Sequence, residues 1–115
     1  MGSLYFDHNT SMTTISFPAL KEFTDAANPV SITQATNLAS ISFGGLTKLA
    51  NTQFSIQGKL PSAQVNYLLN QLVSIVPAVT GKQVNLYQNP YAPPTGQGIT
   101  DKSTLIANGN SVSTN

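Results

Sequence analysis

The chain has 115 residues, a net charge of +1 and no cysteine, which limits it to one modest core without disulfides or thiolate metal sites. Only 8% of its residues are charged and the five lysines are dispersed, so we expect no nucleic-acid binding, which draws on clustered cations. No apolar run approaches the ~18 residues of a membrane span, and the first residues do not form a signal peptide, so we expect no membrane insertion.

Neutral polar side chains take the place of charge. The chain holds 11 Asn, 8 Gln, 12 Ser and 13 Thr, together 44 of its 115 residues. Hydroxyl and amide side chains favour turns and short strands over long helices, because they compete for the backbone's own hydrogen bonds. The composition therefore predicts a chain that is rich in short β-strands.

One apolar pattern occurs twice within residues 4–56. The stretch SMTTISFPAL, at residues 11–20, aligns with NLASISFGGL, at residues 37–46, at an offset of 26 residues. The aligned pairs are Leu4–Val30, Phe6–Ile32, Met12–Leu38, Ile15–Ile41, Phe17–Phe43, Leu20–Leu46 and Phe23–Leu49. A third, truncated copy begins at Phe54 and Ile56, at an offset of 24 from the second copy.

The alternation inside each copy places its apolar side chains on one strand face. Two short strands cannot bury that face alone, whereas copies stacked in register bury it as a continuous core. We therefore predict a single, mainly β domain over residues 1–115 with one substantial helix: a short repeat solenoid of two and a half units over 4–58 and a C-terminal α/β cap over 59–115. The alternative is a β-sandwich whose strands look alike.

The repeated unit, L-x-x-I-x-F-P-x-L, resembles the repeats of leucine-rich-repeat-like solenoids in bacterial surface proteins and phage tail proteins. Met12 stands where Leu is usual, and the Asn that ends many such strands is absent after Phe17 and Phe43. The final segment, APPTGQGITDKSTLIANGNSVSTN, is similar to C-terminal segments of phage and prophage tail proteins. The resemblance implies an extended recognition surface and an extracellular location, on a virion or a cell surface, and it carries over no catalytic residue.

The second half of the chain begins with a helical pattern. In SAQVNYLLNQLVSIV the apolar residues recur with a period near 3.6, which predicts a helix over about residues 62–76. The Ser62 hydroxyl is the expected N-cap, and Pro77 is expected to stop the helix.

Shorter elements follow that helix. Residues 82–87 alternate and predict a strand, and the Pro- and Gly-rich residues 89–98 predict a loop. Thr100 is the expected cap of a short helix, DKSTLIAN, which Gly109 closes in a left-handed turn. Val112 then belongs to a last short strand.

The N-terminal edge of the repeats has no predicted cover. Leu4, Tyr5 and Phe6 begin the first unit, whereas the C-terminal half covers only the other end. An open repeat edge leaves apolar core and backbone hydrogen-bonding groups uncovered. We therefore predict that the chain associates through this edge, as a homo-oligomer or within a longer parent chain.

No group of residues predicts catalysis, a cofactor or a metal. His8, the only histidine, neighbours Asp7, but adjacent strand positions point to opposite faces and an exposed turn residue is the favoured interpretation. Glu22 and Asp25 are close in sequence, yet too few carboxylates accompany them for a Ca²⁺ site. We therefore expect no enzymatic activity, no cofactor and no metal site.

The candidate partner surface consists of Tyr87, Asn89 and Tyr91. Tyrosines beside amides offer an apolar plate together with hydrogen-bonding groups, an arrangement that suits a host-surface glycan or a protein. The alternative is that the two tyrosines pin the proline-rich loop to the helix.

These observations favour a non-enzymatic structural or adhesive module of a phage tail fibre or similar surface appendage, which assembles through its N-terminal repeat edge. One alternative is a bacterial cell-surface repeat protein that binds a glycan or a protein. Another is a self-assembling filament subunit, in which the open end of one copy stacks on the cap of the next.

Overall fold

Nine short strands and two helices make up the computed structural model, which describes residues 1–115. The strands are β1 (Leu4–Asp7), β2 (Thr14–Phe17), β3 (Glu22–Phe23), β4 (Val30–Thr33), β5 (Ser40–Phe43), β6 (Lys48–Leu49), β7 (Gln53–Ile56), β8 (Gln83–Leu86) and β9 (Ser111–Thr114). The helices are α1 (Ser62–Val73) and α2 (Gln97–Ala107).

The strands form three parallel sheets. The largest has five strands in the order β1-β4-β7-β8-β9, and two-stranded sheets pair β2 with β5 and β3 with β6. Parallel neighbours need a crossover connection, and this chain builds four of them. The first two crossovers contain the short strands of the small sheets, and the last two contain α1 and α2.

The pairing register is the one that the repeat predicts. Leu4 pairs with Val30, Ile15 with Ile41 and Phe23 with Leu49, so the 26-residue offset is confirmed in three sheets at once. The 24-residue offset is confirmed as well, because Val30 also pairs with Phe54. A slip of one residue would turn every apolar side chain of a strand away from the core, which fixes this register strongly.

The predicted fold class was nevertheless wrong. The molecule is a small α/β domain with a mostly parallel sheet and two helices, and it is not a repeat solenoid closed by a separate cap. The reason is that β8 and β9, which lie beyond the predicted boundary at residue 58, join the same sheet as the repeated strands. The Cα radius of gyration, 12.8 Å, is close to the roughly 13 Å expected of a compact domain of this length.

One hydrophobic core of 24 buried residues draws on strands of all three sheets and on both helices. Phe23 is fully buried in this core, with its ring edge-on to Phe43 at 5.7 Å and to Phe54 at 6.3 Å between centroids. Such edge-to-face pairs each add about 0.5–1.5 kcal/mol beyond the area that they bury. The core therefore ties the three sheets to one another through one side chain of the first copy.

The helix ends differ from the predicted ones. The residue before α1 is Pro61 and no side chain caps it, so Ser62 is not the N-cap. The helix stops at Val73, ahead of Pro77, and the Ser74 hydroxyl donates to the Asn70 carbonyl at 2.7 Å. This bond satisfies one of the carbonyls that a helix end leaves free.

The other short elements are as predicted, except for the start of α2. This helix begins at Gln97 after Gly96, which adopts a φ of 51°, so Thr100 lies inside the helix and does not cap it. The predicted last strand is confirmed as β9, and Gly109 adopts a φ of 95° in the left-handed turn before it. Neither helix combines the length and the apolar character that crossing a bilayer requires.

Candidate functional site

Strands β1 and β2 are the outer strands of their sheets at one end of the molecule. The third outer strand, β3, is covered by the first residues of the chain: the Thr24 N–H donates to the Met1 carbonyl at 3.1 Å, and the Met1 amino group donates to the Glu22 carbonyl at 3.2 Å. The unpaired strand edges at this end therefore belong to β1 and β2. We call the surface formed by these two strands and residues 8–13 between them the open edge.

Helix α1 seals the opposite edge of the β2–β5 sheet. Three polar side chains, at positions i, i+3 and i+7 of the helix, accept hydrogen bonds from backbone N–H groups of β5 and the residues after it. The bonded pairs are Ile41 with Gln64 at 2.9 Å, Phe43 with Tyr67 at 3.0 Å and Leu46 with Gln71 at 2.7 Å. The Tyr67 hydroxyl also donates to the Phe43 carbonyl at 3.3 Å. The side chains of one helix therefore take the place of a neighbouring strand.

Four apolar side chains of the first copy are less covered than their partners in the second. Phe6, Met12, Phe17 and Leu20 are half-buried, although they pack against the core. Their aligned partners Ile32, Leu38, Phe43 and Leu46 are all buried. The difference arises because these positions of the second copy have a layer on both sides, whereas no layer covers β1 and β2 on their outer side.

The three residues of the predicted assembly edge lie on β1 but differ in exposure. Leu4 is buried in the core, Phe6 is half-buried, and Tyr5 points outward with 65% of its surface exposed. Leu4 is therefore a core residue, and contact with a partner at this strand falls to Tyr5 and Phe6.

A cleft of about 410 Å³ lies at the carboxyl ends of β4, β7 and β8. Its lining residues are Gln34, Ala35, Thr36, Gln57, Gly58, Tyr87, Gln88 and Asn89. Of the predicted partner surface, Tyr87 and Asn89 line this cleft. Tyr91 does not; its side chain is 83% exposed, so it does not pin the loop to a helix.

Gln88 forms the floor of the cleft and is almost wholly buried. Its carboxamide oxygen accepts from the N–H groups of Gly58, at 2.9 Å, and Leu60, at 3.1 Å. Its amide nitrogen donates to the carbonyls of Ile56, at 2.7 Å, and Leu86, at 3.2 Å. All of its hydrogen-bonding capacity is used inside the protein, so Gln88 holds the ends of β7 and β8 together and is not free to bind a ligand.

Asp7 and His8 are in contact, contrary to the prediction that they point to opposite faces. His8 adopts a φ of 57°, which ends the strand alternation and brings its Nδ1 to 2.8 Å from the Asp7 carboxylate. The Thr33 hydroxyl donates to the same carboxylate at 2.7 Å, and this bond, aided by His8, lowers the pKa of Asp7. The histidine side chain is exposed, as predicted.

The carboxylates of Glu22 and Asp25, which are close in sequence, have separate surroundings. Asp25 accepts from Asn28 Nδ2 at 2.7 Å and from the Ala27 N–H at 2.9 Å, and these bonds lower its pKa. Glu22 lines a second cavity, of about 610 Å³, together with Lys48 and Lys82. Burial lowers the pKa of Lys82, whose ammonium donates to the Ala50 carbonyl at 3.0 Å.

Two sets of residues were missed in the sequence. One set is the polar stripe of α1, which consists of Gln64, Tyr67 and Gln71. Its helical spacing was not recognised, because the sequence was interpreted only through the apolar face of the same helix. The other set is the cleft glutamines Gln34, Gln57 and Gln88. Each lies one or two residues after the end of a strand, and this shared position is the signal in the sequence that marks them.

Comparisons with protein-family models, with characterised proteins and with solved structures give no match to this chain.

Proposed function

We propose that the chain is a non-enzymatic structural or adhesive module of an extracellular appendage, such as a phage tail fibre, and that it assembles with a second copy of itself through the open edge. The observation that carries this proposal is the half-burial of Phe6, Met12, Phe17 and Leu20, whose aligned partners one layer inside are fully covered. A further layer on the outer side would complete the burial of all four side chains at once.

The strands of the open edge lack the usual protection against edge pairing. Exposed edge strands are commonly guarded by lysines, prolines or bulges within the strand. Strand β2, TISF, contains no charge and no proline, and the only charge in β1 is Asp7. That carboxylate is bonded to Thr33 and His8 within the protein, so it guards only the end of the strand.

The composition favours a second copy as the partner. With a net charge of +1 and 8% charged residues, the chain has little means of attracting a strongly charged partner. A contact between two copies through the same surface places apolar side chains against apolar side chains, and two-fold contacts of this kind are the commonest in soluble oligomers.

The appendage setting and the extracellular location rest on the resemblance of the repeated unit and of the final segment to those of bacterial surface and phage tail proteins. The absence of enzymatic function is supported by the use of the Asp7–His8 pair, whose carboxylate already accepts a hydrogen bond from the Thr33 hydroxyl of the neighbouring strand.

A pair of matched lysine variants tests the proposal. Tyr5→Lys places a charge on the exposed side of β1, and Tyr91→Lys places the same charge at an exposed tyrosine far along the chain from the open edge. Because like charges across an interface weaken association strongly, Tyr5→Lys is expected to raise the dissociation constant at least about tenfold, and Tyr91→Lys to leave it unchanged.

Sedimentation velocity over a concentration series measures both constants, and far-UV circular dichroism checks that each variant is folded. Equal association of the two variants would contradict the proposed interface. Thr14→Lys, at an exposed position of β2, is a second edge variant that does not alter an aromatic side chain.

A further inference from the structure

The cleft offers a set of unused hydrogen-bonding groups around one aromatic ring. The side chains of Gln34, Thr36 and Asn89 and the Tyr87 hydroxyl make no hydrogen bond within the protein, while Gln57 uses only its amide nitrogen, in a 3.1 Å bond to Ser55. Tyr87 itself is 45% exposed. A ligand in this cleft can therefore contact amides and hydroxyls that have no partner within the protein, beside the apolar face of the Tyr87 ring.

The frame of the cleft is built independently of any ligand. Gln88 holds the ends of two strands through four hydrogen bonds, as described above. Gly58 permits a close approach on the other side, since a Cβ there would lie 2.8 Å from the Ala35 carbonyl oxygen. A preformed frame lowers the ordering cost of binding, and a volume of about 410 Å³ falls in the usual range for small-molecule sites.

The chemistry of the lining selects a neutral, polyhydroxylated ligand. None of the eight lining residues is charged, so a charged ligand would lose hydration without gaining an ion pair. Amides both donate and accept, as the hydroxyl groups of a sugar do, and an aromatic ring packs against the apolar C–H face of a sugar ring.

The neutral surface continues from the cleft across the sheet. One row of the five-stranded sheet is formed by side chains on its outer face, Tyr5, Ser31, Ser55, Asn85 and Ser113. The row contains no charge, and hydroxyls and an amide make up most of it. Room thus exists beside the cleft for further sugar units of a longer chain.

We propose that the cleft between Gln34, Gln57 and Tyr87 is a binding site for a neutral saccharide of one or two rings. The inference is independent of the assembly proposed above, because the cleft lies at the carboxyl ends of β4, β7 and β8 and includes no residue of the open edge.

An NMR titration tests the site through the side chains that form it. Protein labelled with ¹⁵N is titrated with cellobiose and, separately, with N,N′-diacetylchitobiose, up to millimolar concentrations, and glucuronic acid serves as the charged comparison. We expect shifts in the side-chain NH₂ signals of Gln34, Gln57 and Asn89 with at least one neutral sugar and none with glucuronic acid.

Three variants separate binding from folding. Tyr87→Ala is expected to weaken binding by about tenfold, and Tyr91→Ala, outside the cleft, to leave it unchanged. Gln34→Gly removes one amide at a residue with a φ of 52°, a conformation that glycine adopts without strain, so it is expected to weaken binding in a fully folded protein.

Absence of shifts with both neutral sugars would overturn the inference, as would equal loss of binding in Tyr87→Ala and Tyr91→Ala. Equal shifts with glucuronic acid would contradict the selection for a neutral ligand. Shifts produced only by a peptide would assign the cleft to a protein partner instead, and would equally overturn it. None of these outcomes depends on the mass of the protein in solution.

Discussion

Replacing Tyr67 by phenylalanine removes one oxygen atom and tests whether α1 serves as the neighbour of β5. The Tyr67 hydroxyl accepts from the Phe43 N–H at 3.0 Å and donates to the Phe43 carbonyl at 3.3 Å. The phenylalanine ring fills the same space, so the variant isolates the two hydrogen bonds from the packing of the ring.

The expected loss follows from the two groups left behind. A typical intramolecular hydrogen bond contributes about 0.5–1.5 kcal/mol, and a buried donor left without a partner costs about 1–3 kcal/mol. The 3.3 Å bond is long and the site is only partly buried, so water replaces part of the loss. We therefore expect Tyr67→Phe to lower the free energy of unfolding by about 1–2 kcal/mol.

Urea denaturation followed by far-UV circular dichroism, at one fixed protein concentration, measures this change. Tyr91→Phe is the matched control, because Tyr91 is exposed and its substitution is expected to change stability by less than about 0.5 kcal/mol. If Tyr67→Phe were as stable as Tyr91→Phe, with the same dependence on urea, α1 would not be sealing the strand edge through this hydroxyl.

Three further changes have expected outcomes. Gln88→Met keeps the length of a buried side chain but leaves its four backbone partners unpaired, so it is expected to cost about 2–4 kcal/mol in the same urea assay. Gly58→Ala forces a Cβ to within 2.8 Å of the Ala35 carbonyl and is expected to cost about 1–3 kcal/mol, seen as a lower urea midpoint. The hydrogen bond from the Thr33 hydroxyl is the main reason that the pKa of Asp7 in the folded protein lies below its ordinary value of 3.8. The ionised Asp7 carboxylate therefore stabilises the fold at pH values above 3.8. This stabilisation is lost as the pH falls through the lower pKa of the folded state. Asp7→Asn should therefore make the free energy of unfolding fall less steeply below about pH 4 than in the wild-type protein, in urea titrations at a series of pH values.

Two of these changes have a matched control in the same chain. Gln53→Met alters an exposed glutamine of β7 whose one side-chain bond is 3.3 Å long, and Gly2→Ala adds a Cβ with no contact closer than 3.7 Å. Both should leave stability nearly unchanged, and equal effects in the control and the test variant would contradict the stated cause. Thr33→Val removes the main hydrogen-bond donor to the Asp7 carboxylate. It should therefore reproduce part of the effect of Asp7→Asn on the free energy of unfolding at acidic pH.

The register of the strands was predictable, because period-2 alternation together with a fixed offset between the copies allows only one way of pairing them. Ile15 and Phe17 face the core only if they lie beside Ile41 and Phe43, and the structure pairs them in that way. The two later crossovers were not predicted, because they contain helices in place of the short strands of the first two. Gln53 and Gln83 are 30 residues apart and still occupy neighbouring strands, so the parallel pairing continues in the second half at a longer spacing than the 26 and 24 residues of the first copies.

The cleft could be predicted only in part. Tyr87 and Asn89 were identified from their types, but Gln34 and Gln57 join them through sheet topology, which no local pattern encodes. The polar residues of α1 were missed for a related reason. An amphipathic pattern assigns Gln64 to the solvent side, whereas here its carboxamide accepts a backbone hydrogen bond from β5.

The mass of the purified chain in solution, measured by multi-angle light scattering over a wide range of concentrations, tests the central claim most directly. Assembly through the open edge predicts a mass that is a whole multiple of 12.1 kDa and that falls towards one subunit only on dilution. A mass that keeps growing with concentration would indicate a head-to-tail contact in place of the two-fold one. A single species of 12.1 kDa at every concentration would contradict assembly through the open edge.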